Sequence, residues 1–191
     1  HAPTIHKDTV NILLDGNAMA AGLLKNGHSR MVTPKKMNLD GGFLGAEDSD
    51  YVPYIDTCDK IHAQTNVAYG MFPNFITPTD TSGYPAILFW PKGLRETEFE
   101  WTQLAPKWPG DEKPDYWNEQ ETSFDSIMDE DFQNLEPMQR SHDAGVFESM
   151  PLNYQERRIY YYHQVIDDWI GRDNLPENIQ VPNVLDPFIE V

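Results

Sequence analysis

The chain is poor in cysteine. Cys58 is the only cysteine among 191 residues, so no intrachain disulfide can form. One thiol is also too few for a zinc site built on cysteines or for an iron–sulfur cluster. Because this cysteine usage is typical of a reducing compartment, we expect a cytoplasmic protein.

Positive charge and long apolar runs are scarce as well. Fourteen Lys and Arg stand against 31 Asp and Glu, and the formal net charge of −17 argues against nucleic acid or an anionic membrane surface as a partner. The longest apolar runs, such as residues 85–90, are far shorter than the roughly 20 residues of a membrane-spanning helix. The first ten residues do not have the pattern of a signal peptide.

Material for a hydrophobic core is present. Hydrophobic residues make up 39% of the chain and aromatic residues 12%, which is typical of a folded globular protein. A chain of this length can bury a substantial core in one domain. We therefore expect residues 1–191 to form a single domain.

The hydrophobic pattern predicts strands in the first part of the chain. Four strands are expected, over residues 28–34, 66–77, 84–90 and 95–104. The last one alternates cleanly, with Phe99 and Trp101 opposite Glu98 and Glu100, as in a half-buried antiparallel strand. Pro73 implies a bulge or an edge position in the second. A short helix is expected within residues 51–65.

Two longer helices are predicted after the strands. The first covers residues 116–136 and ends near Pro137. Its helical stripe contains Phe124, Ile127, Met128, Asp131, Leu135 and Met138. The second covers residues 154–170, with a capping box formed by Asn153 and Glu156 and a stop at Gly171. Its apolar stripe contains Ile159, Tyr162, His163, Ile166, Trp169 and Ile170. This order of elements predicts an α+β fold.

Asp131 is the unusual residue on the first helix. An ionised carboxylate that faces a core is costly unless it is paired or bound to a metal ion. His1 and His6 lie near one another in the sequence, and Pro3 prevents a regular helix between them, so both imidazoles can turn toward one point. Two imidazoles and a carboxylate are the ligands of a facial triad, which leaves coordination positions on Fe(II) open for dioxygen. Alternatively, Asp131 lies at the wet margin of a wide stripe and the histidine pair is accidental.

Several segments resemble one known family. The sequences EDFQNLEPMQRSHDAGVF (residues 130–147) and LNYQERRIYYYHQVIDDWIG (residues 152–171) resemble the catalytic domain of the alpha subunit of Rieske-type aromatic ring-hydroxylating (di)oxygenases. MFPNFITPTD, a following strand ending in WPKG, and the N-terminal HAPTIH are also similar to this family. The resemblance covers essentially the whole chain, and the order and spacing of the segments agree.

The resemblance implies a fold and a metal site. The fold is the helix-grip (START-like) fold, in which a curved antiparallel sheet packs around a long C-terminal helix. His1, His6 and Asp131 would be the catalytic residues and the ligands of a mononuclear Fe(II). A Rieske [2Fe-2S] cluster is implied for the intact protein and not for this chain, which lacks the cysteines for it. The family's aspartate three residues before the first histidine would precede residue 1, so we expect an N-terminally truncated catalytic domain.

The implied activity is hydroxylation or dihydroxylation of an apolar or aromatic substrate, as in aromatic hydrocarbon catabolism. The implied partners are the substrate, dioxygen, ferredoxin or reductase electron donors, and a homotrimer with or without beta subunits. Five residues are candidates for the substrate pocket: Ile127, Met128, Phe72, Phe75 and Phe89.

Three alternatives remain open at the level of the sequence. The same fold without metal could serve as a binding module for hydrophobic ligands, or the chain could be an inactive fragment. If His1 were a mature N-terminus, its amine and ring with His6 could instead form a copper brace, as in secreted polysaccharide monooxygenases.

Overall fold

A computed structural model of the chain describes residues 20–34, 53–146 and 149–190. The strands of this part are β1 Ala20–Leu24, β2 Ser29–Pro34, β3 Thr65–Met71, β4 Phe75–Thr79, β5 Tyr84–Gly93, β6 Glu96–Leu104 and β7 Ile189–Glu190. The α-helices are α1 Lys60–Gln64, α2 Asp115–Asp143 and α3 Arg157–Ile170. Short 3-10 helices cover Lys25–Gly27, Tyr154–Glu156, Arg172–Asn174, Glu177–Ile179 and Asp186–Phe188.

The strands form one open sheet in the order β6-β5-β4-β3-β2-β1-β7. Neighbouring strands from β1 to β6 are antiparallel, whereas β7 pairs parallel with β1, so the sheet is mixed. The predicted α+β class is confirmed, and a sheet followed by a C-terminal helix is compatible with the helix-grip fold. None of the described helices combines the length and the apolar character needed to cross a bilayer.

The prediction of one strand over residues 66–77 is wrong. The structure has two strands, β3 and β4, joined by a tight turn that contains Pro73. Proline cannot donate a hydrogen bond to the ladder, and here it takes a place between strands rather than at a bulge within one. The helix expected within residues 51–65 is confined to the five residues of α1. Asp59 caps its start, because the Asp59 side chain accepts a hydrogen bond from the His62 backbone N–H.

Helix α2 continues through Pro137, so the predicted break at this residue is wrong. Proline at position 137 removes the hydrogen bond to the carbonyl of Gln133, but both residues are exposed and water can satisfy that carbonyl. The buried side chains lie in the first half of α2, whereas Leu135 and Met138 are about half exposed. The stripe predicted from the sequence therefore reaches the core only in its N-terminal part.

The start and the end of α3 agree with the sequence. The Asn153 side chain accepts hydrogen bonds from the backbone N–H groups of Gln155 and Glu156, and the Glu156 carboxylate accepts one from the Asn153 N–H. This capping box precedes α3 through one 3-10 turn. Gly171, with φ of 87°, ends the helix in a conformation that favours glycine.

We expect Asn153→Ala to destabilise the protein by about 1 kcal/mol, because the cap then leaves two backbone donors without an acceptor. The change is measured as a lower midpoint of urea unfolding. The exposed Asn178, which lies outside any cap, provides the matched control, and Asn178→Ala should shift the midpoint far less. Equal effects at the two positions would contradict the role of the capping box.

The apolar stripe predicted for α3 does not face the sheet. Ile159, Trp169 and Ile170 are about half exposed or more, and His163 is exposed as well. The buried side chains of this helix are Tyr161, Gln164, Val165 and Asp167. The two polar residues in this set pair with the C-terminal segment, since Gln164 donates to Asp186 and Asp167 accepts from the Val181 backbone N–H.

Helices α2 and α3 pack on the same face of the sheet. Strand register places six residues side by side across the strands from β1 to β6: Leu23, Ser29, Gly70, Ile76, Ile87 and Trp101. We call them the central row. Directly paired residues point to one face of a sheet. Leu23 packs against Tyr161 of α3, and Trp101 lies 4.5 Å from Phe124 of α2 between ring centroids.

Candidate functional site

Among the described residues, the face of the sheet between α2 and α3 is left uncovered at Ile76, and we call the space above it the cleft. Ile76 is in the central row between the two helices, and it remains 40% exposed although it points to the face on which both helices pack. Its neighbour Ile87 is only 5% exposed. The exposed floor of the cleft at Ile76 is therefore apolar. From Gly70 to Trp101 the row crosses three strand spacings, which is roughly 14 Å.

Helix α2 forms one wall of this cleft and carries Asp131. Helix α2 runs antiparallel to β6. Trp101 contacts Phe124, and the earlier strand residue Phe99 contacts the later helix residue Phe132 at 5.0 Å. Asp131 follows Phe124 by seven residues, which brings it within about 20° of the same direction around the helix. Asp131 is accordingly half-buried, whereas Asp125 and Asp129 are exposed.

Three of the five residues predicted for the substrate pocket lie on the α2 side of the sheet. Ile127 and Met128 are half-buried on α2, one turn before Asp131. Phe89 of β5 lies 5.5 Å from Phe99, the ring that also contacts α2. These side chains belong to the wall and floor on the α2 side of the cleft.

The other two pocket candidates lie elsewhere. Phe72, in the turn between β3 and β4, packs on Tyr162 and Trp169 of α3 at 5.4 and 5.5 Å. Phe75 pairs with Leu88, so it points to the opposite face of the sheet from Phe89. A pocket beside Asp131 would therefore include neither of them.

His1 and His6 lie outside the described residues, so the structure places only one member of the predicted triad. Within residues 20–34, 53–146 and 149–190, no group of three His, Cys, Asp or Glu side chains could hold a metal ion. The fit to Fe(II) therefore depends on the donor set. Asp131 offers a hard oxygen ligand in a half-buried, aromatic setting, and two imidazoles complete the set that this ion takes in a facial triad.

Helix α3 forms the other wall, and Arg158 extends from it over the sheet. Its Nε donates a hydrogen bond of 3.0 Å to the Ser29 hydroxyl in the central row. A Cβ atom at Gly70 would lie 3.3 Å from Arg158 Nη2, so the missing side chain of this glycine makes room for the guanidinium. Burial lowers the pKa of Arg158 from its ordinary value. The two walls thus differ, with a carboxylate on α2 and a cation on α3.

A small polar cavity lies below the first half of α2. Its lining includes Pro78, Gln103, Trp117 and Gln120. Trp117 Nε1 and Gln120 Nε2 are buried donors without a hydrogen-bond partner within the described part of the chain. The cavity has room for water and not for an aromatic ring. It is therefore not the substrate site.

A polar cluster of His62, Asp59 and Tyr69 lies on the opposite face of the sheet. His62 Nδ1 is 2.8 Å from Asp59 Oδ1, and its Nε2 is 3.2 Å from the Tyr69 hydroxyl. The pKa of Asp59 is lowered, mainly because its carboxylate accepts a hydrogen bond from the His62 backbone N–H and also from the ring. Tyr69 neighbours Gly70 in β3 and points away from the cleft. This cluster holds α1 on the sheet.

Sequence analysis missed Arg158, Gly70 and Ile76. A glycine inside a strand often marks the close approach of another group, so Gly70 carried a usable signal. The basic pair at the start of α3 was a second signal, because basic residues are scarce in this chain. Neither signal shows on which face of the sheet these residues lie, because that depends on the register between the strands.

One comparison with known proteins gives a match. The family model described as ring hydroxylating alpha subunit (catalytic domain) matches residues 1–172. No curated protein and no solved structure matches the chain. The matched range includes all of the sheet except β7, both walls of the cleft and the three predicted metal ligands. The chain belongs to the family of ring-hydroxylating oxygenase alpha subunits, and residues 1–172 correspond to their catalytic domain.

Proposed function

We propose that this chain is the catalytic domain of a Rieske-type oxygenase that holds Fe(II) through His1, His6 and Asp131 and hydroxylates or dihydroxylates a small aromatic substrate. One observation carries this proposal: Asp131 is half-buried beside the cleft in a chain of this oxygenase family. Its carboxylate is the oxygen ligand that completes a facial triad with two imidazoles.

The residues of the cleft have separable tasks in this proposal. Asp131 would contribute an oxygen ligand and a negative charge, and the two histidines would contribute neutral nitrogen ligands. Bound Fe(II) would supply the centre at which dioxygen reacts, with electrons from a Rieske cluster. Ile127 and Met128 would bind the hydrocarbon part of the substrate, and the packed rings of Phe89, Phe99 and Phe132 would limit water near Asp131.

Further features follow from the family for the intact protein. We propose that the [2Fe-2S] cluster resides outside this chain, that ferredoxin or reductase proteins supply the electrons, and that the alpha subunits form a homotrimer with or without beta subunits. A single domain over residues 1–191 and a cytoplasmic location belong to the same proposal.

The test is the iron content of the chain, purified without a histidine tag and loaded with Fe(II) under anaerobic conditions. Near one iron per chain is the expected result. Iron absent from a folded wild-type chain would refute the metal site and leave the alternative, a metal-free binding module. The binding module is the second candidate function, because the exposed apolar floor at Ile76 would accept a hydrophobic ligand with or without iron.

A further inference from the structure

Arg158 differs from most of the arginines of this chain, because none of the acidic residues that the structure describes pairs with it. Four of the six form ion pairs with carboxylates at 2.5–2.7 Å: Arg30, Arg95, Arg140 and Arg172. Within the described residues no carboxylate pairs with Arg158, although the chain carries 31 acidic residues. Its neighbour Arg157 is occupied differently, since it donates to the Ala21 carbonyl and stacks 4.4 Å over the Tyr154 ring.

The geometry around Arg158 keeps its guanidinium available to a ligand. The Nε atom is bound by Ser29, which fixes the plane of the group and leaves the terminal nitrogens as donors. Gly70 provides the space beside Nη2. A guanidinium held in this way matches the two oxygens of a carboxylate.

The central row leads from Arg158 toward Asp131, and its exposed apolar member is Ile76. Arg158 lies over Ser29 and Gly70, and the next residue of the central row is the half-exposed Ile76. Beyond it the row reaches Ile87 and Trp101, under the helix that carries Asp131. The cleft thus has a cation at one side, an apolar floor, and the proposed metal ligand at the other side.

We propose that the cleft binds a small aromatic carboxylate, with its acid group on Arg158 and its ring on the floor at Ile76 toward Asp131. This proposal rests on the proposed function only in identifying the ligand as the substrate. The binding itself does not require iron. The cation fixes the orientation of the ligand, so that the ring edge opposite the carboxylate points toward α2.

Benzoate and benzamide are the test pair, because they have nearly the same size and differ in charge. Isothermal titration of the iron-free full chain should show benzoate binding more tightly than benzamide. Arg158→Gln should weaken benzoate binding about tenfold to a hundredfold and leave benzamide unchanged, because a charge-assisted pair is lost. Arg158→Lys should restore part of the preference, since an ammonium pairs as a point charge. Arg140→Gln, which removes an exposed arginine that pairs with Glu136 near the end of α2, is the control and should have no effect.

Equal binding of benzoate and benzamide to the wild-type chain would overturn the inference without any variant. Gly70→Ala gives a second approach if Arg158→Gln fails to fold, because a Cβ there would lie 2.9 Å from the Ser29 hydroxyl and 3.3 Å from Arg158 Nη2. It should disturb the hydrogen bond that holds the guanidinium and reduce the benzoate preference. Iron content separates the two proposals. Benzoate preference without bound iron would support the carboxylate site and refute the oxygenase site, and bound iron without benzoate preference would do the reverse.

Discussion

Replacing Asp131 by alanine is expected to reduce the iron content of the Fe(II)-loaded chain from near one per chain to near zero. The variant retains His1 and His6, but two imidazoles alone make a poor Fe(II) site, and the negative charge that offsets the dication is lost. Because Asp131 is only half-buried, its removal should leave the far-ultraviolet circular dichroism of the chain unchanged. Metal analysis after anaerobic gel filtration measures the effect.

Asp129 supplies the matched control for this experiment. It lies two residues earlier in α2, is exposed, and points about 200° away around the helix. Asp129→Ala should therefore keep the iron of the wild type. If both variants lose iron, or if Asp131→Ala retains it, Asp131 is not the ligand.

The same variant separates the alternative functions. A metal-free binding module predicts that Asp131→Ala leaves the binding of a hydrophobic ligand unchanged. A copper brace at His1 predicts that the wild-type chain prefers copper over iron and that Asp131 is irrelevant to this preference. Only the facial triad predicts selective loss of iron in Asp131→Ala.

The central strands were predictable because their signal is local. The alternation in residues 95–104 predicts β6 within one residue, and residues 84–90 predict most of β5. By contrast, β7 has only two residues, and they pair with residues of β1 that lie more than 160 positions earlier in the chain. Such a strand is defined by its long-range pairing and has no local pattern of its own.

The orientation of α3 shows a different limit of sequence analysis. Two overlapping stripes run along this helix, and the more apolar one, with Ile159 and Trp169, is the one exposed. The buried stripe contains Gln164 and Asp167, which are satisfied by Asp186 and Val181 of the C-terminal segment. Hydrophobicity alone could not predict this, because the hydrogen bonds that offset the burial come from another part of the chain.

The local features of the candidate site could be predicted from the sequence, whereas those that depend on distant segments could not. The helical stripe indicated that Asp131 either faces the core or lies at the margin of the stripe, since a stripe is a local property of one helix, and the structure shows it half-buried. The role of Arg158 depends on Ser29, 129 residues earlier, and on the register that places Gly70 beside it. Register couples distant segments, so the cationic wall of the cleft became visible only in the fold.

Gly83→Ala is expected to lower the free energy of unfolding by about 3 kcal/mol or more, which is the largest stability effect that we predict for the addition of one methyl group. Gly83 has φ of 133°, which a residue with a side chain rarely adopts. It closes the turn from Asp80 through two backbone hydrogen bonds of 3.1 and 3.3 Å. A Cβ at this position would overlap the backbone carbonyl oxygen of Leu104 in the neighbouring strand, which cannot move as a flexible side chain would.

The turn at Gly83 also supports the first half of α2, because the missing side chain leaves room for the buried ring of Trp117 at 3.4 Å. Strain at this position should therefore spread to the wall that carries Asp131, and the midpoint of urea unfolding should fall accordingly. Gly93 is the control, because a Cβ there meets no atom within 4 Å and its φ is not positive. We expect Gly93→Ala to change the free energy of unfolding by less than about 0.5 kcal/mol. Similar midpoints for the two variants would show that the turn tolerates a side chain and that the contact with Leu104 is not a constraint on the fold.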